Sequence, residues 1–90
     1  MRCVDYPVDY VANIFSRVIG IDSKLVDDSQ NYKIYLIEIP QQNIKIYIYN
    51  KNDICSQISI SGVNPKNLLY ISDIVRSVNK HFQNAEGNIY

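Results

Sequence analysis

Three consecutive runs of β-branched and aromatic residues lie between residues 32 and 61, and they constrain the fold more than any other part of the chain. The runs cover residues 32–39, 44–49 and 54–61, and clusters rich in Pro, Gln, Asn and Asp separate them. Ile and Tyr favour a pleated, half-buried backbone, whereas Pro and Asn favour turns. The pattern therefore predicts an antiparallel meander of three strands.

The register of the first hairpin follows from its loop. A four-residue loop at residues 40–43 sets Ile39 opposite Ile44 and, on the other face, Glu38 opposite Lys45. Continued along the strands, this register pairs Ile37 with Ile46, Tyr35 with Ile48, Leu36 with Tyr47 and Ile34 with Tyr49. Such cross-strand pairs each contribute roughly 0.2–1 kcal/mol. A slip of one residue would turn the isoleucines outward, so we expect this register.

The second hairpin must keep its isoleucines on the same side as those of the first. A two-residue loop at residues 51–52 would break this arrangement, because it sets Ile48 against Cys55. A three-residue loop at residues 50–52, with Asn52 in the left-handed conformation, preserves it. One face is therefore predicted to carry Ile44, Ile46, Ile48, Ile54, Ile58 and Ile60. The other face is predicted to carry Ile34, Leu36, Glu38, Lys45, Tyr47, Tyr49, Cys55, Gln57, Ser59 and Ser61.

One amphipathic helix is predicted before the meander in the sequence, and a second one after it. The first covers residues 7–19 and ends at Gly20, which adopts the left-handed conformation freely. The second begins at Asn64 and Pro65, a capping residue followed by a first-turn proline. Its apolar stripe consists of Leu68, Ile71, Ile74, Val75, Val78 and Phe82. Residues 21–28 form either a short first strand around Leu25 and Val26 or an extended loop.

Both helices have one apolar stripe and the sheet has one strongly apolar face, so the helices are expected to pack together on that face. The predicted fold is a two-layer α+β sandwich of order α-β(β)ββ-α, with a meander of three to four strands. Ninety residues are enough for one small domain, spanning residues 1–90. The opposite face of the sheet is left without a covering layer.

Composition narrows the function classes. Nine basic and nine acidic residues give no net charge, which argues against a protein that binds duplex nucleic acid through phosphate contacts. The two cysteines are too few for a disulfide framework and are expected to be reduced thiols. Neither a membrane span nor a signal peptide is predicted, which favours a cytoplasmic protein without membrane association. The abundance of Ile, Asn, Lys and Tyr is typical of AT-rich genomes and suggests a phage, a mobile element or a low-GC bacterium as the source.

No set of residues indicates an enzyme, a cofactor or a metal ion. His81 has no Cys, Asp or Glu one helical turn away that would complete a ligand pair. A small cysteine-dependent enzyme using Cys55 and His81 is a remote alternative, since no third group orients them. The three glycines are too far apart to form a phosphate-binding loop.

The uncovered face is the candidate site. Tyr47 and Tyr49 project to the same side as Ile34 and Leu36, with Glu38 and Lys45 at the rim. Tyr is a large contact residue with few rotors to immobilise, and contiguous apolar patches of this kind are typical of association surfaces. The sequence thus favours a small regulator, inhibitor or adaptor that binds a protein partner, or a second copy, through this face.

Three alternatives to protein binding through this face remain. Edge strands could pair between two copies. The face could bind a single-stranded nucleic acid, with bases stacked on the tyrosines and Lys33, Lys45, Lys51 and Arg2 nearby. The patch could also be covered within the chain by residues 21–31, by the C-terminal tail or by a helix.

Overall fold

Four antiparallel strands and two helices make up the part of the chain that the computed structural model describes, residues 4–29, 32–50 and 55–86. The elements in chain order are α1 (Val8–Ile19), β1 (Lys24–Ser29), β2 (Tyr32–Ile39), β3 (Ile44–Asn50), β4 (Ser56–Ser61) and α2 (Leu68–Glu86). The strands lie in the order β1-β2-β3-β4. The two-layer α+β architecture predicted from the sequence is confirmed.

The register between β2 and β3 is the predicted one over its whole length, from Ile39 opposite Ile44 to Ile34 opposite Tyr49. The connecting loop forms one turn of 3-10 helix, Pro40–Gln42, and then Asn43 in the left-handed conformation at φ 58°. Pro suits the start of such a turn, and Asn tolerates the left-handed region better than most residues. The loop therefore enforces the pairing that the side chains favour.

The register between β3 and β4 differs from the prediction, because a longer connection, residues 51–55, replaces the three-residue loop. Ile48 lies opposite Ile58, and the last pair before the connection is Asn50 with Ser56. Both are buried: Asn50 Oδ1 accepts the backbone N–H of Lys33 (2.8 Å), and Ser56 Oγ donates to the backbone oxygen of Tyr6 (2.7 Å).

These long-range bonds fix the pairing. The shift is an even number of residues, so the predicted faces are kept. The predicted positions of Asn52 and Ile54 lie outside the described residues.

Residues 24–29 form a fourth strand, β1, so the strand alternative for residues 21–28 is confirmed and the loop alternative is wrong. It is longer than predicted and contains a β-bulge between Leu25 and Asp27. All six of its residues are exposed. The strand is thus an edge that pairs with β2 and contributes little to the core.

Helix α1 begins one residue later than predicted and ends at Gly20, which has φ 84°. Helix α2 begins at Leu68, later than predicted, because residues 65–67 form a turn. Asn64 caps this turn, since its Oδ1 accepts the N–H groups of Lys66 (2.9 Å) and Asn67 (3.2 Å).

The apolar stripe of α2 is narrower than predicted. Ile71, Ile74, Val78 and Phe82 are buried, but Leu68 and Val75 are 53% and 39% exposed. At about 100° per residue, Leu68 and Val75 lie together on one border of the stripe, and there the helix faces solvent.

One apolar cluster joins the two layers. The isoleucines of β2 and β3 that face the helices form this cluster with buried residues of α1 and α2, and its fully buried side chains include Phe15, Phe82, Ile37, Ile46 and Ile48. Tyr6 stacks on Phe82, with ring centroids 4.9 Å apart, and so ties the segment before α1 to the end of the core. Neither helix, as far as the described residues extend, is long and apolar enough to cross a bilayer.

Cys55 forms a disulfide, which contradicts the expectation of reduced thiols. The sequence has one other cysteine, Cys3, which lies outside the described residues. Val4 and Ser56 exchange two backbone hydrogen bonds, of 2.7 and 2.8 Å. This contact brings the start of the chain against the start of β4, beside Cys55. Sequence spacing alone gave no sign of it.

Candidate protein-binding surface

The six side chains predicted to form the site lie together on one side of the sheet. They stand in three cross-strand pairs, Ile34–Tyr49, Leu36–Tyr47 and Glu38–Lys45, which we call the open face. Strand alternation produces this arrangement, because every second residue of β2 and β3 points to the same side. Their part in binding stays a prediction.

Both helices pack on the opposite side of the sheet. The core cluster combines the alternate residues of β2 and β3, including Ile37, Ile46 and Ile48, with buried residues of α1 and α2. On the open face Ile34, Leu36, Tyr47 and Tyr49 are half-buried, and Glu38 and Lys45 are exposed.

Of the predicted cover, residues 21–31, residues 24–29 instead extend the sheet sideways as β1. Ile21 and Asp22 line a depression together with Leu36 and Glu38, and residues 30–31 lie outside the described residues. The helices lie on the other layer. Residues 87–90 of the tail lie outside the described residues.

The neighbouring strands frame the open face differently on its two sides. On β1, Lys24 lies opposite Leu36 and Asp27 opposite Ile34. On β4, the corresponding positions are Ser59 and Gln57, beside Tyr47 and Tyr49. The sequence alone does not assign Lys24 and Asp27 to this face, because the bulge at Val26 interrupts the alternation of sides along β1. Including them, the surface carries two acidic and two basic groups.

The charges of the open face differ in how they are occupied. Within the described residues, Glu38 and Lys45 make no ion pair within 4.0 Å, although they are cross-strand neighbours. Asp27 accepts a hydrogen bond from Ser29 Oγ at 3.0 Å. Glu38, Lys45 and Lys24 are therefore all available to pair with an incoming surface.

Lys33 belongs to the other side of the sheet. It lies opposite Asp28, and its Nζ is 3.5 Å from Asp9 Oδ2 on α1. Lys33 therefore does not contribute a positive charge to the open face, as the single-stranded nucleic-acid alternative required. Lys51 and Arg2 lie outside the described residues.

Apart from the open face, an open cleft of about 440 Å³ lies at the start of α1. It is lined by Asp5, Tyr6, Pro7, Val8, Asp9, Lys33, Asn50 and Cys55. Beside it the hydroxyl of Tyr35 donates to Asp9 Oδ1 at 2.5 Å.

This hydrogen bond, together with partial burial and the negative charges of Asp9 and Asp28, raises the pKa of Tyr35 to about 12. Asp9 therefore joins α1 to β2 through both Tyr35 and Lys33, as a structural contact.

The cysteine-enzyme alternative depends on two residues, Cys55 and His81. A cysteine nucleophile acts as the thiolate, and the Cys55 sulfur is held in a disulfide. His81 is an exposed residue of α2. Among the described residues, no three His, Cys, Asp or Glu side chains are grouped so that they could hold a metal ion.

Comparisons with protein-family models, with curated proteins and with solved structures found no match.

Proposed function

We propose that this protein is a non-enzymatic interaction module, a small regulator, inhibitor or adaptor, that binds a protein partner through the open face. One observation carries the proposal: four large side chains, two of them tyrosines, stand together on the side of the sheet opposite both helices. Interfaces are enriched in Tyr because it supplies large contact area at low entropic cost.

The chemistry of the surface fits a protein partner better than a nucleic acid. Its apolar centre of Ile34, Leu36, Tyr47 and Tyr49 would supply most of the binding energy, and the charged rim would set the orientation. The two acidic side chains, Asp27 and Glu38, cancel the two lysines. A single-strand binder normally surrounds its stacking aromatics with positive charge.

The test is the double variant Tyr47→Ser/Tyr49→Ser. It should abolish capture of the partner from the native host, measured by pull-down and mass spectrometry. Its free energy of unfolding should change by about 1 kcal/mol or less, because neither ring belongs to the core cluster. The matched control is Leu69→Ser, which removes an 81% exposed apolar side chain from α2 and should leave capture intact.

Two results would contradict the proposal. If Tyr47→Ser/Tyr49→Ser unfolds the protein, the rings are part of the core. If the folded variant still captures the same partner, binding uses another surface. Titration with a labelled single-stranded oligonucleotide at low salt tests the alternative, and a salt-dependent affinity lost in the double variant would favour it.

Residue usage supports the further proposal that the protein comes from a phage or mobile element with an AT-rich genome and acts on a host protein. A cytoplasmic location was expected from the sequence. The disulfide at Cys55 counts against it, since such bonds persist mainly in oxidising compartments.

A further inference from the structure

We infer that the protein partner of the open face is a second copy of this chain. The two sheets pack face to face about a two-fold axis that runs parallel to the strands, between β2 and β3. The inference rests on the proposed function, since it takes the open face to be a protein-binding surface. It adds the identity of the partner and the orientation of the pair.

The apolar centre is complementary to itself about this axis. Rotation exchanges β2 and β3, so Ile34 meets Tyr49 of the second copy and Leu36 meets Tyr47 of the second copy. Each contact places a large ring against a smaller aliphatic side chain. Two sheets pack about 10 Å apart when facing positions combine large and small residues, because the layers then interdigitate evenly.

The charged rim is complementary about the same axis. Glu38 meets Lys45 of the second copy, and Lys45 meets Glu38 of the second copy. Each side chain also has its opposite charge beside it in its own sheet. The four groups therefore alternate in sign around a ring. Within the described residues, these two side chains have no ion-pair partner in the single chain. The second copy would supply an oppositely charged partner for each of them.

The outer strands also tolerate this packing. Lys24 on β1 meets Ser59 of the second copy, and Asp27 meets Gln57 of the second copy. Ser59 and Gln57 are neutral polar side chains, so neither of these meetings is a contact between like charges.

An axis perpendicular to the strands fits less well. It would stack Tyr47 on Tyr49 of the second copy and Ile34 on Leu36 of the second copy, so the gap between the sheets would be wide on one side and narrow on the other. Its ion pair would join Lys24 to Asp27 of the second copy, and Glu38 would no longer meet Lys45 of the second copy. The axis parallel to the strands is therefore preferred.

The experiment exploits the charge ring. Glu38→Lys makes the ring of a homodimer entirely positive, and Lys45→Glu makes it entirely negative. Each variant alone should self-associate at least about tenfold more weakly than wild type, because like charges then face each other. An equimolar mixture should restore the dimer as a heterodimer. Sedimentation equilibrium measures the affinity, and native mass spectrometry identifies the mixed species.

The matched control is the pair Lys24→Glu and Asp27→Lys. Each should dimerise within about threefold of wild type, since their groups meet neutral residues in the preferred packing. All four positions are exposed, and circular dichroism verifies that each variant is folded. If only the mixture of the control pair restores dimers, the perpendicular axis is correct and the proposed packing is wrong.

Failure of this inference is distinguishable from failure of the proposed function. If the wild-type protein stays monomeric up to about 100 µM, its dissociation constant is above that concentration. This result would contradict the inference that the partner is a second copy. In that case Tyr47→Ser/Tyr49→Ser still reports separately on capture of a different protein. A dimer that survives Tyr47→Ser/Tyr49→Ser also rejects the inference, because it would form through another surface.

Discussion

At the scale of single residues, Asn67 holds together the end of the sandwich where α2 begins. It is 2% exposed, and its side-chain amide donates to the backbone oxygens of Gly62 (2.9 Å) and Gln42 (3.2 Å). Its Oδ1 accepts the N–H of Asn64 at 2.9 Å. One side chain thus connects the β2–β3 loop, the end of β4 and the turn before α2. No local sequence pattern indicates this role of Asn67, because its partners come from three segments.

Replacing Asn67 with Ala should lower the free energy of unfolding by about 2–4 kcal/mol, because it removes three hydrogen bonds made by a buried side chain. Urea denaturation measures the loss. Asn13→Ala, at an exposed position of α1, is the control and should stay within about 0.5 kcal/mol of wild type. Equal stabilities of the two variants would show that the Asn67 bonds contribute nothing.

Gly62, which accepts one of these bonds, is required for a separate reason. It has φ 93°, a conformation that L side chains rarely adopt, and a Cβ there would lie 2.2 Å from the backbone oxygen of Asn43. The close approach to Asn43 depends on how β4 lies beside β3, so only the folded structure reveals it.

At the scale of elements, α2 shows how far periodicity can be trusted. Helical spacing identifies which residues share a stripe, but the width of the buried part depends on the surfaces that the helix meets. Ile74 is 6% exposed and its neighbour Val75 is 39% exposed. The predicted burial of Val75 was wrong for this reason, whereas that of Ile71, Ile74, Val78 and Phe82 is confirmed.

Ile74→Ala should therefore cost about 2–5 kcal/mol, because it opens a cavity in the core. Val75→Ala should cost less than about 1 kcal/mol, since much of the removed surface was already in contact with water. Thermal and urea unfolding of the two variants provide a comparison between adjacent positions of one helix. A loss at Val75 as large as that at Ile74 would mean that α2 is rotated from its position in the structure.

At the scale of the whole molecule, the disulfide at Cys55 places a covalent cross-link directly before β4. Cross-links stabilise mainly by restricting the unfolded chain, by about 2–4 kcal/mol. Reduction with dithiothreitol should lower the melting temperature accordingly, measured by calorimetry. The variant Cys3→Ser/Cys55→Ser should match the reduced protein and be insensitive to dithiothreitol. An unchanged melting temperature on reduction of the wild type would contradict a stabilising cross-link.

The contrast between local and distant contacts explains how much of the molecule could be predicted. The β2–β3 register and both of its faces follow from alternation and a short loop, so all six residues of the open face were correctly grouped. The β3–β4 register was wrong because Asn50 and Ser56 are fixed by bonds to Lys33, Tyr6 and Val4. Such contacts join segments that are far apart in sequence, and no local pattern encodes them. That the open face is used in binding remains a prediction.

The bulge in β1 has a consequence for how large any assembly of this protein can become. Growth of a fibril needs an outer strand that is regular enough to template the next one. In β1 the ladder is broken at Val26, and Lys24, Asp27 and Asp28 place charges along the strand. That border of the sheet therefore resists repeated strand addition, and a pair packed through the tyrosine-bearing faces, as proposed, would not grow further along this edge.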